Sequence, residues 1–135
     1  MNQGAYILLL RLPAKVRLEI GRLGEFEFAK GYYAYVGSAL NNLEKRIARY
    51  RLIDKPRHWH IDYFRPHARW VDAWRFESRD RIECRLNSRL MNSPEGRPVP
   101  RFGSSDCGCK SHFHYFSKDP SRFIRSLSPG DSELL

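Results

Sequence analysis

With 135 residues, 41% hydrophobic and 13% aromatic, the chain is sized for about one domain with its own core, which excludes a disordered or low-complexity protein. Lys and Arg number 24 against 15 Asp and Glu, a formal net charge of +9 that favours polyanionic partners through summed electrostatics and counterion release. No stretch approaches the ~20 apolar residues of a membrane span, and three cysteines, an odd number, do not make a secreted disulfide framework.

The first residues, MNQGAYILLLRLPAK, hold one short apolar run with no basic segment ahead of it, so they lack the layout of a signal peptide. The expectation is a soluble cytoplasmic protein with reduced cysteines and no membrane partner. Ala5 to Leu12 is an almost continuous apolar run of strand length stopped by Pro13, the pattern of a strand covered on both faces. Val16, Leu18 and Ile20 alternate with Arg17 and Glu19, and Phe26 and Phe28 with Glu25 and Glu27, across the turn Gly21 to Gly24. That spacing predicts a hairpin with one buried face.

Tyr32 to Gly37 is β-prone, and its final glycine either turns the chain or admits another group close to the backbone. A basic helix follows, capped by Ser38 or Asn42, with Leu43 and Ile47 on one side and with Arg46 and Tyr50 one turn apart on a shared face. His58 to Phe64 predicts one or two helical turns ended by Pro66, Trp70 to Phe76 a strand, and Asp80 to Met91 a helix with Ile82, Leu86 and Leu90 at helical spacing. Ser93 to Pro100 reads as a loop, Phe102 to Cys109 as a tight turn, and His112 to Phe116 as an alternating strand. Residues 1–116 are read as the domain and 117–135 as a C-terminal extension that frays. The fold class expected is α/β in the α+β sense: a single domain with a mainly antiparallel sheet of four or five strands and two or three flanking helices.

Gly4-Ala5-Tyr6 on the first strand and Tyr35-Val36-Gly37 on a later one, followed after a polar turn by Arg46 on a helix, resemble the motif of the GIY-YIG nucleases. More narrowly, GYYAYVGSAL, HWHIDY, the pair Glu83-Cys84, and FGSSDC with Ser111-His112 resemble a small, mostly uncharacterised subgroup of that superfamily, from about Gly4 to Phe116. Two departures stand out. The middle residue of the first triplet is Ala, and the Val16 to Phe28 hairpin lengthens the segment between the two halves, so no particular substrate follows from the resemblance.

The resemblance implies metal-dependent hydrolysis of phosphodiester bonds in DNA. Tyr6 and Tyr35 match the two motif tyrosines, one of which orients or deprotonates the attacking water in that family; service as a base near neutrality needs a nearby cation or metal, because a free tyrosine ionises near pH 10. Arg46 matches the motif arginine and would fork onto the scissile phosphate. Tyr50 occupies the place of a further catalytic His or Tyr, His60 would line the cleft as a proton shuttle, and Glu83 matches the metal-binding glutamate for Mg²⁺ or Mn²⁺. Ser38, Lys45, Arg49 and Arg57 would bind the nucleic acid, and a partner protein would supply targeting. Each residue has a plainer reading: packed strand aromatics for the tyrosines, a solvated helix face for the arginines, and a capping box between Asp80 and Glu83. The alternative function is a non-catalytic nucleic-acid-binding module, in which Arg46, Arg49, Lys45 and Arg57 still hold phosphates.

Cys107, Cys109, His112 and His114 offer sulfur and nitrogen ligands that would make a zinc-binding or redox interaction domain, joined by His58 and His60 if the fold allows. A Cys-x-Cys pair is tighter than the usual two-to-four-residue gap, which disfavours zinc, and Cys84 reads as a small core residue.

Overall fold

The protein is described by a computed structural model over residues 3–53, 59–102, 109 and 111–127. In chain order it has β1 (Gly4–Leu12), β2 (Val16–Glu19), β3 (Glu25–Phe28), β4 (Gly31–Ala39), α1 (Leu43–Arg51), α2 (His60–Phe64), β5 (Arg69–Glu77), α3 (Glu83–Met91), β6 (Gly96–Pro98), β7 (Phe113–Phe116) and α4 (Ser121–Arg125). Five strands form one antiparallel sheet in the order β5-β1-β4-β7-β6, and β2 and β3 form a separate two-stranded sheet. The α+β class and the antiparallel sheet agree with the expectation. Among the described residues no helix is long and apolar enough to cross a membrane.

The continuous apolar run of β1 has a direct physical cause. Successive side chains of a strand point to opposite faces, and here both faces are covered. Tyr6, Leu8, Leu10 and Leu12 enter one core with Leu43 and Tyr50 of α1, Ile61 and Phe64 of α2, and Phe28 of the hairpin. Ala5, Ile7 and Leu9 enter a second core with Ile82, with Leu86 and Leu90 of α3, and with Ile124 beside Leu127 at the end of α4. Each such fully buried aliphatic side chain is worth about 1.5–3 kcal/mol relative to exposure. The two cores thus fasten helices to both sides of β1 and β4.

Several boundaries differ from the sequence reading. Ser38 belongs to β4, and Asn42 stands at the cap position of α1 in a left-handed conformation without a side-chain cap bond. Pro66 does not stop the helical path, which continues as a 3₁₀ turn over Arg65–His67 with the proline in its first positions, where a missing N–H is harmless. Helix α3 starts at Glu83, with Ile82 at its cap position, and the Asp80 N–H donates to Ser78 Oγ at 3.0 Å. The capping box between Asp80 and Glu83 is therefore not formed. Residues 93–100, read as a loop, contain the short edge strand β6, where Pro98 is tolerated because an edge strand needs fewer ladder donors. The chain after Ser117 includes α4, whose Ile124 is fully buried. The expected turn over residues 103–108 lies outside the described residues, as does His58.

Candidate active site

The register of β1 against β4 brings Tyr6 opposite Gly37, with Tyr35 one diagonal step away on the same face. Helix α1 then folds back over this end of the sheet and adds Tyr50. The three rings form a triangle, with centroids 6.5 Å apart for Tyr6 and Tyr35, 5.9 Å for Tyr6 and Tyr50, and 6.2 Å for Tyr35 and Tyr50. Their side chains are almost fully buried, yet all three line a cavity of about 1070 Å³. Gly4 closes the first strand against its neighbour: a Cβ there would lie 2.2 Å from the Phe76 carbonyl oxygen, so only glycine admits β5 so closely.

Burial pushes the Tyr6 and Tyr35 hydroxyls well above the usual tyrosine range, and neighbouring tyrosines add to the rise. Burial raises Tyr50 as well, partly offset by its hydrogen bond with Tyr6. Arg46 acts in the opposite direction on each of the three. Its guanidinium is half-buried at the cavity wall, and among the described residues it has neither an ion pair nor a hydrogen bond. A planar guanidinium so placed is chemically able to fork onto an anion.

Arg49, on the same helix, is placed differently. It donates to both carboxylate oxygens of Asp62 at 3.2 and 3.1 Å, and lies over the Tyr50 ring at 5.3 Å. Asp62 is buried, and its Oδ2 also accepts the Trp59 N–H at 2.8 Å, closing the first turn of α2. Residues 59–62 thus clamp α1 instead of only lining the cavity. His60 does line the cavity, its imidazole held below the ordinary value by burial. Ser38 and Lys45 sit exposed at the rim, and Arg57 lies outside the described residues.

Beyond Tyr35 the strand β7 no longer pairs with β4, and His112 takes its place. The Val36 N–H donates to the His112 carbonyl at 2.9 Å, and His112 Nδ1–H donates to the Val36 carbonyl at 3.2 Å. Glu83, at the start of α3, reaches the same edge, with its Oε2 3.7 Å from His112 Nδ1 and its charge felt by Tyr35. Cys84 lines the cavity and does not enter the core, contrary to the sequence reading. His114 is committed elsewhere: its Nε2–H donates to Asn87 Oδ1 at 2.6 Å, and burial, aided by His112, holds its imidazole down at about 4.

The fold therefore gathers Tyr6, Tyr35, Tyr50, Arg46, His60 and Glu83 around one cavity, with Ser38 and Lys45 at its rim. Sequence reasoning missed Arg65, which is buried under α1 and donates to the carbonyls of Tyr50 at 2.6 Å, Arg51 at 3.1 Å and Ala68 at 2.8 Å. An arginine one residue before a proline, some 15 positions after the helix it supports, carries no local signal of that role.

No match is found among curated proteins or among solved structures. A family model matches residues 5–130, and this covers both cores, the tyrosine triangle and α4. The chain belongs to that family, the domain of unknown function DUF123.

Proposed function

We propose that this domain is a metal-dependent DNA endonuclease of the GIY-YIG kind, hydrolysing phosphodiester bonds in the cavity between α1, the end of β4 and the start of α3. The observation that carries this reading is Arg46: a guanidinium without a carboxylate partner among the described residues, beside three tyrosine hydroxyls, in a chain with a formal net charge of +9. It takes the scissile phosphate as a planar fork and meets the charge that grows on the non-bridging oxygens. Lys45 and Ser38 at the rim hold the flanking backbone.

Tyr6, Tyr35 and Tyr50 work as neutral hydroxyls, because burial keeps each of them protonated far above neutral pH. Their role is to orient the attacking water and exclude the rest of the solvent. His60, held neutral by burial, can accept a proton at a ring nitrogen. A hard divalent ion suits the site: the Glu83 side chain is 31% exposed and opens on the cavity, and Mg²⁺ takes one or two carboxylates while keeping several waters. Glu83 would hold Mg²⁺ or Mn²⁺, which supplies charge stabilisation at the phosphate.

The test is cleavage of labelled single-stranded, duplex and flap DNA with Mg²⁺, Mn²⁺ or EDTA, comparing wild type with Glu83→Gln. Cutting that needs the divalent ion and is lost in Glu83→Gln supports the reading. Salt-sensitive binding of all three substrates without cutting under any metal replaces it with a binding module.

A further inference from the structure

Two cysteines and a histidine that the sequence separates meet beside the cavity. Cys84 comes from the first turn of α3, Cys109 and His112 from the segment leading into β7, and one ligating atom from each lies within 4.8 Å of the others. We infer that Cys84, Cys109 and His112 form a Zn²⁺ site distinct from the carboxylate of Glu83, and this inference does not rest on the nuclease reading.

The donor set selects the ion. Two thiolates and an imidazole are soft-to-borderline ligands that favour Zn²⁺ over Mg²⁺ or Mn²⁺. Zn–S and Zn–N bonds of about 2.3 and 2.0 Å place tetrahedral ligand atoms roughly 3.5–3.8 Å apart, so donor atoms that already lie within 4.8 Å of one another need to close by at most about 1.3 Å.

His112 carries an independent sign. Its Nδ1–H is donated to the Val36 carbonyl at 3.2 Å, which sets the tautomer whose Nε2 bears the lone pair. A backbone carbonyl on the other ring nitrogen is the outer-shell arrangement that orients metal-binding histidines. His114 stays outside this group: its Nε2–H is held by Asn87 Oδ1 inside the core, and its ring is not among the donors that meet.

Among the described residues three ligands meet there, one short of a tetrahedral set. The ion would tie the first turn of α3 to the edge of β4. It thereby holds the helix turn that carries Glu83, next in sequence to Cys84, beside the cavity.

The full chain, purified under reducing conditions, stripped with chelator and dialysed against Zn²⁺, is assayed for metal content by mass spectrometry and titrated with Co²⁺ as a spectroscopic probe. One zinc per chain is expected in wild type, with thiolate-to-cobalt charge-transfer bands, and at least tenfold weaker binding in both Cys84→Ser and Cys109→Ser. Circular dichroism of the two variants reports that they remain folded. The site is overturned if wild type holds no more zinc than the double variant, or if Cys84→Ser binds as wild type does. A thiol count showing Cys84 joined to Cys109 in a disulfide overturns it as well.

Discussion

The Tyr6 ring occupies the space that a side chain at residue 37 would fill: a Cβ on Gly37 would lie 2.3 Å from Tyr6 Oη and 2.4 Å from its Cζ. The two residues are direct cross-strand partners, so the glycine of the Tyr-Val-Gly triplet exists to seat the tyrosine of the first strand. Gly37→Ala should expel that ring from a fully packed position, at a cost of about 1–3 kcal/mol. Under the proposed function, in which Tyr6 orients water and Arg46 holds phosphate, cleavage should fall more than DNA affinity. Urea unfolding and single-turnover cleavage together check this.

The clamp between Arg49 and Asp62 gives a second expectation. Asp62→Ala removes both guanidinium bonds and the acceptor for the Trp59 N–H, taking the carboxylate away from a partly buried Arg49. A loss of about 2–4 kcal/mol follows, below that of a fully buried pair because Arg49 is 30% exposed. Asp62→Asn keeps an acceptor and should cost less. Equal losses in the two variants would contradict the account.

Arg65 satisfies the last carbonyls of the helix that carries Arg46 and Tyr50. Arg65→Met keeps the stem and leaves three carbonyls without their charged donor, which should cost about 2–4 kcal/mol. The midpoint of thermal unfolding is the readout.

His60 links the cavity to pH. Because burial lowers its folded pKa below the ordinary 6.5, the unfolded chain takes up a proton first as pH falls. Its contribution to stability is therefore present above pH 6.5 and is lost as pH drops through the window below it. His60→Phe should show a smaller change in unfolding free energy between about pH 7.5 and 5.5 than wild type. An identical change would contradict the assignment.

The alternation of Val16 to Phe28 and the unbroken run in β1 made the hairpin and the doubly covered strand legible, because side-chain period reports which face is buried. The meeting of Tyr6, Tyr35 and Arg46 around one cavity agrees with the spacing of the motif they resemble. The pairing of Arg49 with Asp62 and the support from Arg65 were not, since both join segments whose contact depends on how α1 and α2 dock. Cys84 was misread as a core residue for a related reason. It follows Glu83 at the start of α3, and helical periodicity is a poor guide in a first turn that faces a cavity. Strand β6 was hidden by its flanking prolines, which at a sheet edge do not forbid pairing.

The most direct test is the single-turnover cleavage rate of wild type, Arg46→Lys and Arg46→Ala on one labelled DNA substrate at saturating Mn²⁺. The account predicts a loss of roughly 10²–10³-fold for Arg46→Ala, a smaller loss for Arg46→Lys, and a salt dependence of binding shallower by about one phosphate contact in Arg46→Ala. An Arg46→Ala variant that cuts at the wild-type rate would contradict the assignment of this cavity as the site of phosphodiester hydrolysis.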